Sequence, residues 1–459
     1  MIGTRRKFIQ SSIAGAVAAG FPAIVPNSVF GATAPSNRIN IGAIGVGRIS
    51  RVHDLPGVLQ FTGVAGRDNR IVAVCDLSAE RVEQGRKFVD NAYTRKLGKP
   101  YTGTRGYSDY KELLANHEID AVLISVPDHQ HARLAVAAVA AGKDVYLQKP
   151  ASLTIREGRI MADHVKASRQ ILQVGSQQRS WKQFARAVEL VRNGRIGTVQ
   201  RVEIGLPGDP AGGNPQPMPV PAGFNYDAWL GSTPEVPYTV DRVMPQKGFD
   251  RPGWLRMEQF GAGMITGWGA HHVDTAHWGM DTELTGPVEI WGHAEFPTEG
   301  LWNVHGPFKT YGRYENGVVM TISGEFENGI KWIGDKGWIF VCRDTGTTPT
   351  ASLNSPPVPI VPLRASDPAI LDSVIGPDGW HPYTSDDQHG NWLDCIHSRK
   401  APVAPAEIGH RACSTCLLHW IAMKVQHHIY WDPKTEMIQG DDIAASLLSR
   451  HQRHPYEIA

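Results

Sequence analysis

Ile39-Asn40-Ile41-Gly42-Ala43-Ile44-Gly45-Val46-Gly47-Arg48-Ile49-Ser50 is a short apolar run that breaks into glycines and then into helical sequence. An apolar strand, a Gly-x-Gly turn and a helix start together form the layout of a pyrophosphate cradle. Gly45 permits a tight turn, and Gly47 lets the backbone approach an anion. Arg48 and Ile49 open the helix, whose N-terminus offers N–H groups and a positive dipole end. Ser50 stands at the third glycine position as a small substitute. Glycine-rich turns are common, so the motif needs company. Asp76 supplies it. Just past the second apolar run, an acid can hydrogen-bond ribose hydroxyls and repel a 2′-phosphate, which favours NAD over NADP. Asp76 lies 31 residues after Gly45, against a usual interval of about 20, and residues 61–70 read as the insertion responsible. A helix N-cap is the structural alternative for this acid.

Outward from this turn, the apolar runs 71–75, 121–125 and 144–147 alternate with helical patterns at 79–89, 109–115, 131–141 and 155–167. Continuous apolar strands separated by helices indicate a parallel sheet covered on both faces. From about residue 198 the texture changes. Strand-like runs at 199–204, 288–293, 317–324, 331–333 and 338–341 follow one another with closer turns, which predicts a second, mostly antiparallel α+β domain. Residues 206–223 hold too many prolines and glycines for a regular element. Helical patterns near 391–398 and 407–427 close the chain and are expected to return toward the first domain. The expected division is 1–34 as a targeting segment, 38–170 as the dinucleotide-binding domain and 171–459 as the substrate-binding domain.

The chain has 459 residues, enough for two cores, with 41% hydrophobic and 20% charged residues and a net charge of +1. That balance points to neither a nucleic-acid binder nor a polybasic membrane surface. At the N-terminus, Arg5 and Arg6 precede the apolar stretch 11–25. Paired arginines before a mild apolar segment follow the twin-arginine pattern, which exports folded proteins to the periplasm or beyond. No membrane role beyond export is expected. Ala32-Thr33-Ala34 is a candidate cleavage site, with Pro35 an obstacle immediately after it. The five cysteines, Cys75, Cys342, Cys395, Cys413 and Cys416, are odd in number and scattered. They read as buried small hydrophobes rather than a disulfide framework.

Two further segments fall at predicted strand ends, where open α/β sheets bind ligands. Val126-Pro127-Asp128-His129-Gln130-His131 ends the third strand, and Gln148-Lys149-Pro150 ends the fourth. A lysine there faces the same crevice as the glycine turn. Its ammonium can hydrogen-bond a substrate hydroxyl and stabilise a developing alkoxide. A surface lysine at a strand end is the structural alternative.

Taken together, the glycine turn, Pro127 to His131, Tyr107-x-Asp109-Tyr110, Gln148-Lys149-Pro150, Val174 to Arg179 and Gly269-Ala270-His271-His272-Val273-Asp274 resemble the Gfo/Idh/MocA oxidoreductase family. That family includes glucose–fructose oxidoreductase and inositol dehydrogenases. The resemblance covers nearly all of the chain beyond residue 38. It implies a Rossmann domain followed by an α+β domain with a large open sheet, a homo-oligomer, and NAD as cofactor with NADP as the alternative. It implies Lys149 as the catalytic lysine and His271 as the acid/base that shuttles the hydroxyl proton. Asp274 would orient a ligand hydroxyl or the imidazole, and Arg179 would line the substrate side. Gly45, Gly47, Arg48, Ile49, Asp76, Pro127, Asp128, His131, Gln148 and Lys149 would surround the cofactor. Tyr226 and Trp229 lie in a segment similar to one that enters the substrate cleft in exported relatives.

Two departures stand out. Inositol-dehydrogenase-like members carry an Asp four residues before the histidine, where this chain has Gly267. His272, Asp274 or Tyr226 would have to replace it. Gln148 stands where the family has Glu. His271, His272, Asp274 and His277 invite a zinc reading, but the resemblance accounts for His271 and Asp274 without a metal, so none is expected. Asp387 reads as a helix cap, and Glu407, His410 and Arg411 as a structural polar cluster. The expected function is a nicotinamide-dependent oxidoreductase of a sugar or polyol CH–OH with tightly bound cofactor. The alternative is a glycoside hydrolase that works through transient oxidation at C3. A non-catalytic sugar-binding protein is disfavoured, because both Lys149 and His271 are present.

Overall fold

In the computed structural model the described residues are 38–243, 253–343, 361–383 and 385–458. The twin-arginine segment lies outside them. The first sheet is parallel, with strands β1 (Ile39–Ile44), β2 (Asn69–Cys75), β3 (Arg105–Tyr107), β4 (Ala121–Ile124), β5 (Asp144–Leu147) and β6 (Leu172–Val174) in the order β3-β2-β1-β4-β5-β6. This order reverses direction at β1, which leaves a crevice at the carboxyl ends of β1 and β4. β4 and β5 are buried along their whole length, because helices cover both faces. The sheet runs past the boundary expected at residue 170. β6 pairs with β5 through Val145, Tyr146 and Leu147, so the first domain keeps its sixth strand.

Local chemistry sets the helix starts. Ser78 and Thr154 accept hydrogen bonds from Arg81 N and Glu157 N as N-caps. The helix predicted at 131–141 begins earlier, as Asp128–Ala140, directly after Pro127. The helix after the glycine turn opens as a π-turn, Ser50–Asp54, before it continues as Leu55–Leu59. This wider turn carries Asp54 into the interior.

The second sheet has nine strands, β7 (Val199–Gly205), β8 (Glu289–Ala294), β9 (Phe308–Arg313), β10 (Val319–Ser323), β11 (Gly329–Gly334), β12 (Trp338–Val341), β13 (Leu363–Ala365), β14 (Ile429–Asp432) and β15 (Met437–Gln439). Their order is β13-β12-β11-β7-β10-β9-β8-β14-β15. Every neighbouring pair is antiparallel except β7 with β10. One face is covered by the Gly269–Met280 and Ala406–Val425 helices. The first of these seats flush on β11. A Cβ on Gly279 would lie 2.8 Å from the Trp332 indole, which itself reaches Ala276 O at 3.4 Å.

The Gln388–Ser398 helix packs back on the first domain. Trp392 meets Tyr146 edge-on at 5.8 Å, and Arg399 forks onto Asp144 at 2.8 Å through both of its terminal nitrogens. All five cysteines are buried. Among the described residues no helix is long and apolar enough to cross a membrane.

Gly279→Leu should force the helix that carries His271 off its seat. The expected loss is about 1–3 kcal/mol of stability from overpacking. The urea midpoint reads it, with Gly376→Ala, where an added methyl meets nothing within 4 Å, as the control that stays unchanged.

Candidate active site

The glycine turn, the ends of β2, β4 and β5, and two later segments enclose a cavity of about 480 Å³. Gly45 holds φ +81°, and a Cβ there would sit 2.4 Å from Ser125 O. No other residue fits, for both conformation and space. Gly47, Arg48 and Ile49 line the cavity beside it. Asp76 also lines it, while its carboxylate accepts Val46 N at 3.0 Å and Ser78 N at 3.1 Å. It therefore braces the turn from the β2 side and presents an acid to the groove. Pro127, Asp128, His131, Gln148 and Lys149 line the other end. His131 is a clamp as well as a wall. Its Nδ1 lies 2.6 Å from Pro150 O and its Nε2 2.8 Å from Val126 O, which ties the two strand ends together. A glycine cradle, an acid past β2 and an elongated groove fit a dinucleotide.

Two segments close this groove. Residues 223–225 hydrogen-bond the end of β2, with Ala79 N to Gly223 O and Asn225 N to Leu77 O both at 2.9 Å. Gln130 Nε2 then holds Ala228 O and Trp229 O at 3.0 and 2.9 Å. The C-terminal tail latches the loop from outside. Arg453 pairs with Asp227 at 2.7 Å, Tyr456 donates to the same carboxylate at 2.6 Å, and Pro455 and Tyr456 line the cavity.

Lys149 reaches across to the second domain and donates to Gly267 O at 2.8 Å. Gly267 ends one short helix, Met264–Gly267, and the next, Gly269–Met280, carries His271. His271 is 2% exposed, and its Nδ1 has no hydrogen-bond partner among the described residues. Burial depresses its proton affinity well below the ordinary histidine range, and the charges of Arg343, Lys149, His272 and His53 add to that. It is a neutral imidazole in a cationic neighbourhood. Burial pushes the Asp128 carboxyl up, against the pull of Lys149.

Beneath Lys149 lies a network that sequence reading missed. Asp54 is fully buried and accepts from four side chains. Ser125 Oγ meets Oδ2 at 2.6 Å, and Gln148 Nε2, His53 Nδ1 and His389 Nε2 meet Oδ1 at 2.8, 2.9 and 3.2 Å. Burial alone would raise this carboxyl, but the hydrogen bonds and charges of His389 and His53 hold it below the usual carboxylate range. Gly57 leaves room for the ring, since a Cβ there would lie 2.4 Å from His389 Nδ1. The network explains Gln148. An amide donates to Asp54, whereas a glutamate in its place would set two carboxylates against each other. His53, Asp54 and His389 are also close enough to share a cation. The further donors Ser125 and Gln148 are what a buried carboxylate needs without one.

Several expected roles change. Arg179 and Asp274 do not line the cavity. They form a buried two-pronged pair at 2.7 and 2.9 Å, and Glu283 takes the remaining arm at 2.8 Å. Burying a guanidinium requires such partners, so both are structural. His272 is likewise occupied at both nitrogens, by Gln178 at 3.2 Å and Asn328 at 2.8 Å. Neither it nor Asp274 replaces the acid absent at Gly267. Tyr226 donates to Pro237 O at 3.2 Å and stacks on Trp229. Trp229 lines the cavity and Tyr226 only backs it.

Comparison with known proteins agrees with this geometry. Residues 39–176 match the description "oxidoreductase family, NAD-binding Rossmann fold", and residues 211–345 match the same family's C-terminal alpha/beta domain. Inositol 2-dehydrogenase of Salmonella typhimurium is 27% identical over 160 residues, 35% of this chain and 43% of the relative. A glycosyl hydrolase family 109 protein of Shewanella pealeana is 34% identical over 137 residues, 30% of this chain and 28% of the relative. The chain thus spans less than half the length of these curated relatives. Among solved structures, the WlbA dehydrogenase of Bordetella pertussis superposes with a TM-score of 0.59 at 17% identity, covering 86% of this chain and 99% of that one, which is a likeness of fold. Two matched domains in one order, over a glycine cradle and a lysine at the end of β5, place the chain in the Gfo/Idh/MocA oxidoreductase family.

Proposed function

We propose that this protein is an exported, NAD-dependent oxidoreductase that acts on a secondary hydroxyl of a sugar or polyol and keeps its cofactor bound between turnovers. The observation that carries the reading is the junction of Lys149 with Gly267 O, one turn before His271. Lys149 lines the end of the cofactor groove, and its acceptor Gly267 leads into the helix that carries the neutral imidazole. NAD, when bound, supplies the hydride acceptor. The glycine turn would hold its pyrophosphate, and Asp76 its adenosine ribose. Lys149 would orient the substrate hydroxyl and stabilise negative charge on its oxygen. His271, neutral by burial, would take the hydroxyl proton at a ring nitrogen. Asp54 would fix Gln148 and, through it, the strand end that carries Lys149. The arginine pair at residues 5 and 6 supports export. A cofactor carried out with the folded chain would need the closed groove formed by residues 223–229 and the tail. A homo-oligomer is in keeping with the nine-stranded sheet. Its face turned away from buried Ile290 carries stacked Trp291 and Tyr311, 5.1 Å apart, and the exposed Tyr430.

The glycosyl hydrolase relative favours one second reading, net glycoside hydrolysis through a transient ketone at C3. The ketone acidifies the C2 hydrogen, the aglycone leaves by elimination, water adds, and reduction restores the alcohol. Turnover of a nitrophenyl glycoside in heavy water separates the two. Deuterium at C2 of the product marks the hydrolase, and a stable ketone without deuterium marks the dehydrogenase.

Purified protein should release nicotinamide on denaturation, in near-equal amount to the chain. Cofactor-free protein with weak affinity for NAD counts against the reading. Lys149→Met should slow reduction of bound NAD by a polyol panel roughly 10²–10⁴-fold and leave the fold unchanged by circular dichroism. The exchange Asp54→Asn with Gln148→Glu should recover most of what either change alone removes, because it restores one carboxylate and one amide with their places reversed. Additive losses in rate and urea midpoint would remove Asp54 from the site.

A further inference from the structure

The charges around His271 do not balance. Lys149 has Asp128 as the neighbouring acid, and His53 and His389 share Asp54. Among the described residues Arg343 has none. It is 8% exposed, yet its Nε and Nη2 have no hydrogen-bond partner among those residues. It is held only by ring faces, with the guanidinium 4.8 Å from the Trp268 ring centre and 5.3 Å from that of Trp181. Stacking orients the fork, while its in-plane Nε and Nη2 stay buried without a partner among the described residues. Trp268 is also the residue between Gly267 and the His271 helix, with its ring 6.2 Å from that of His271. Arg343 therefore sits across one indole from the imidazole, and it is the strongest of the neighbouring charges acting on that ring. Burial lowers Arg343 to about 10, with no acid to offset it. A buried cation without a partner is costly. The contrast with Arg179, whose two acidic partners were described above, shows what a buried arginine requires in this fold.

We propose that Arg343 binds the carboxylate of an acidic sugar, so that the substrate class is a uronic or aldonic acid rather than a neutral polyol. The inference rests on the proposed oxidoreductase reading and narrows it. A planar fork matches a carboxylate through two parallel hydrogen bonds, while Nδ1 of His271, which has no partner among the described residues, remains for a hydroxyl of the same molecule. The acid absent at Gly267 fits this scheme, since a carboxylate there would repel an anionic substrate.

The test compares D-glucuronate, D-galacturonate and D-gluconate with D-glucose, D-galactose and sorbitol, on the full chain with its bound cofactor. Thermal shift and reduction of bound nicotinamide are the two readouts. The acids should raise Tm where their neutral counterparts do not. Arg343→Met should weaken acid binding roughly a hundredfold and leave neutral sugars unaffected. Without ligand, Arg343→Met should itself raise Tm, by about 2 °C or more, because it removes an unpaired buried charge. Arg343→Gln gives a second variant should methionine fail to fold. No Arg343-dependent shift with any of the acids, or a fall in ligand-free Tm for both variants, overturns the proposal. An Arg343-dependent shift without reduction of nicotinamide by any sugar keeps the anion site and overturns the oxidoreductase reading instead.

Discussion

The contact between Lys149 Nζ and Gly267 O, 2.8 Å long, joins the two domains at the point where chemistry can occur. Lys149 follows β5, the strand next to the edge of one sheet, and Gly267 precedes the helix that lies on the other. Neither domain alone assembles the group. The strand end places the ammonium in the lining of the groove, and the helix that follows Gly267 carries the imidazole. The surrounding elements keep this seam in register. His131 ties β4 to the Lys149–Pro150 turn, Gly279 seats the His271 helix on β11, and the returning Gln388–Ser398 helix brings His389 under the glycine turn.

That seam also governs where charge can sit. A buried carboxylate persists only when donors surround it. Asp54 meets that requirement with four, and Gln148 is one of them. The family's usual Glu at that position would be incompatible with Asp54, so the two residues are one solution to one constraint.

Much of this was legible in the sequence because it is local. The apolar runs at 39–44, 71–75, 121–125 and 144–147 fix a parallel sheet, and the turn at Gly45 needs a glycine for reasons of conformation and space alone. Residues whose meaning lies in distant partners were not legible. Arg179 and Asp274 are 95 positions apart, and each alone has the look of a site residue; only the fold shows that they satisfy each other. Asp54 and His53 lie in the helical sequence that follows the glycine turn, and the π-turn that carries Asp54 inward leaves no periodic trace. His389 hid beside Asp387, which has a sufficient role as a cap. The short strands β3, β6, β13 and β15 lack enough residues to show alternation, which is why the domain boundary was drawn before β6.

Direction of proton movement follows from the same electrostatics. The imidazole of His271 is shielded from water and crowded by Arg343, Lys149, His272 and His53, both of which disfavour a proton on it. A neutral imidazole can accept a hydroxyl proton but has none to spare for an alkoxide without first gaining one. The site as built therefore suits oxidation of an alcohol as the first half-reaction. An anion seated against Arg343 would offset one of the charges that oppose protonation of that ring, so arrival of an acidic substrate would itself make the imidazole a better base at the moment a base is needed.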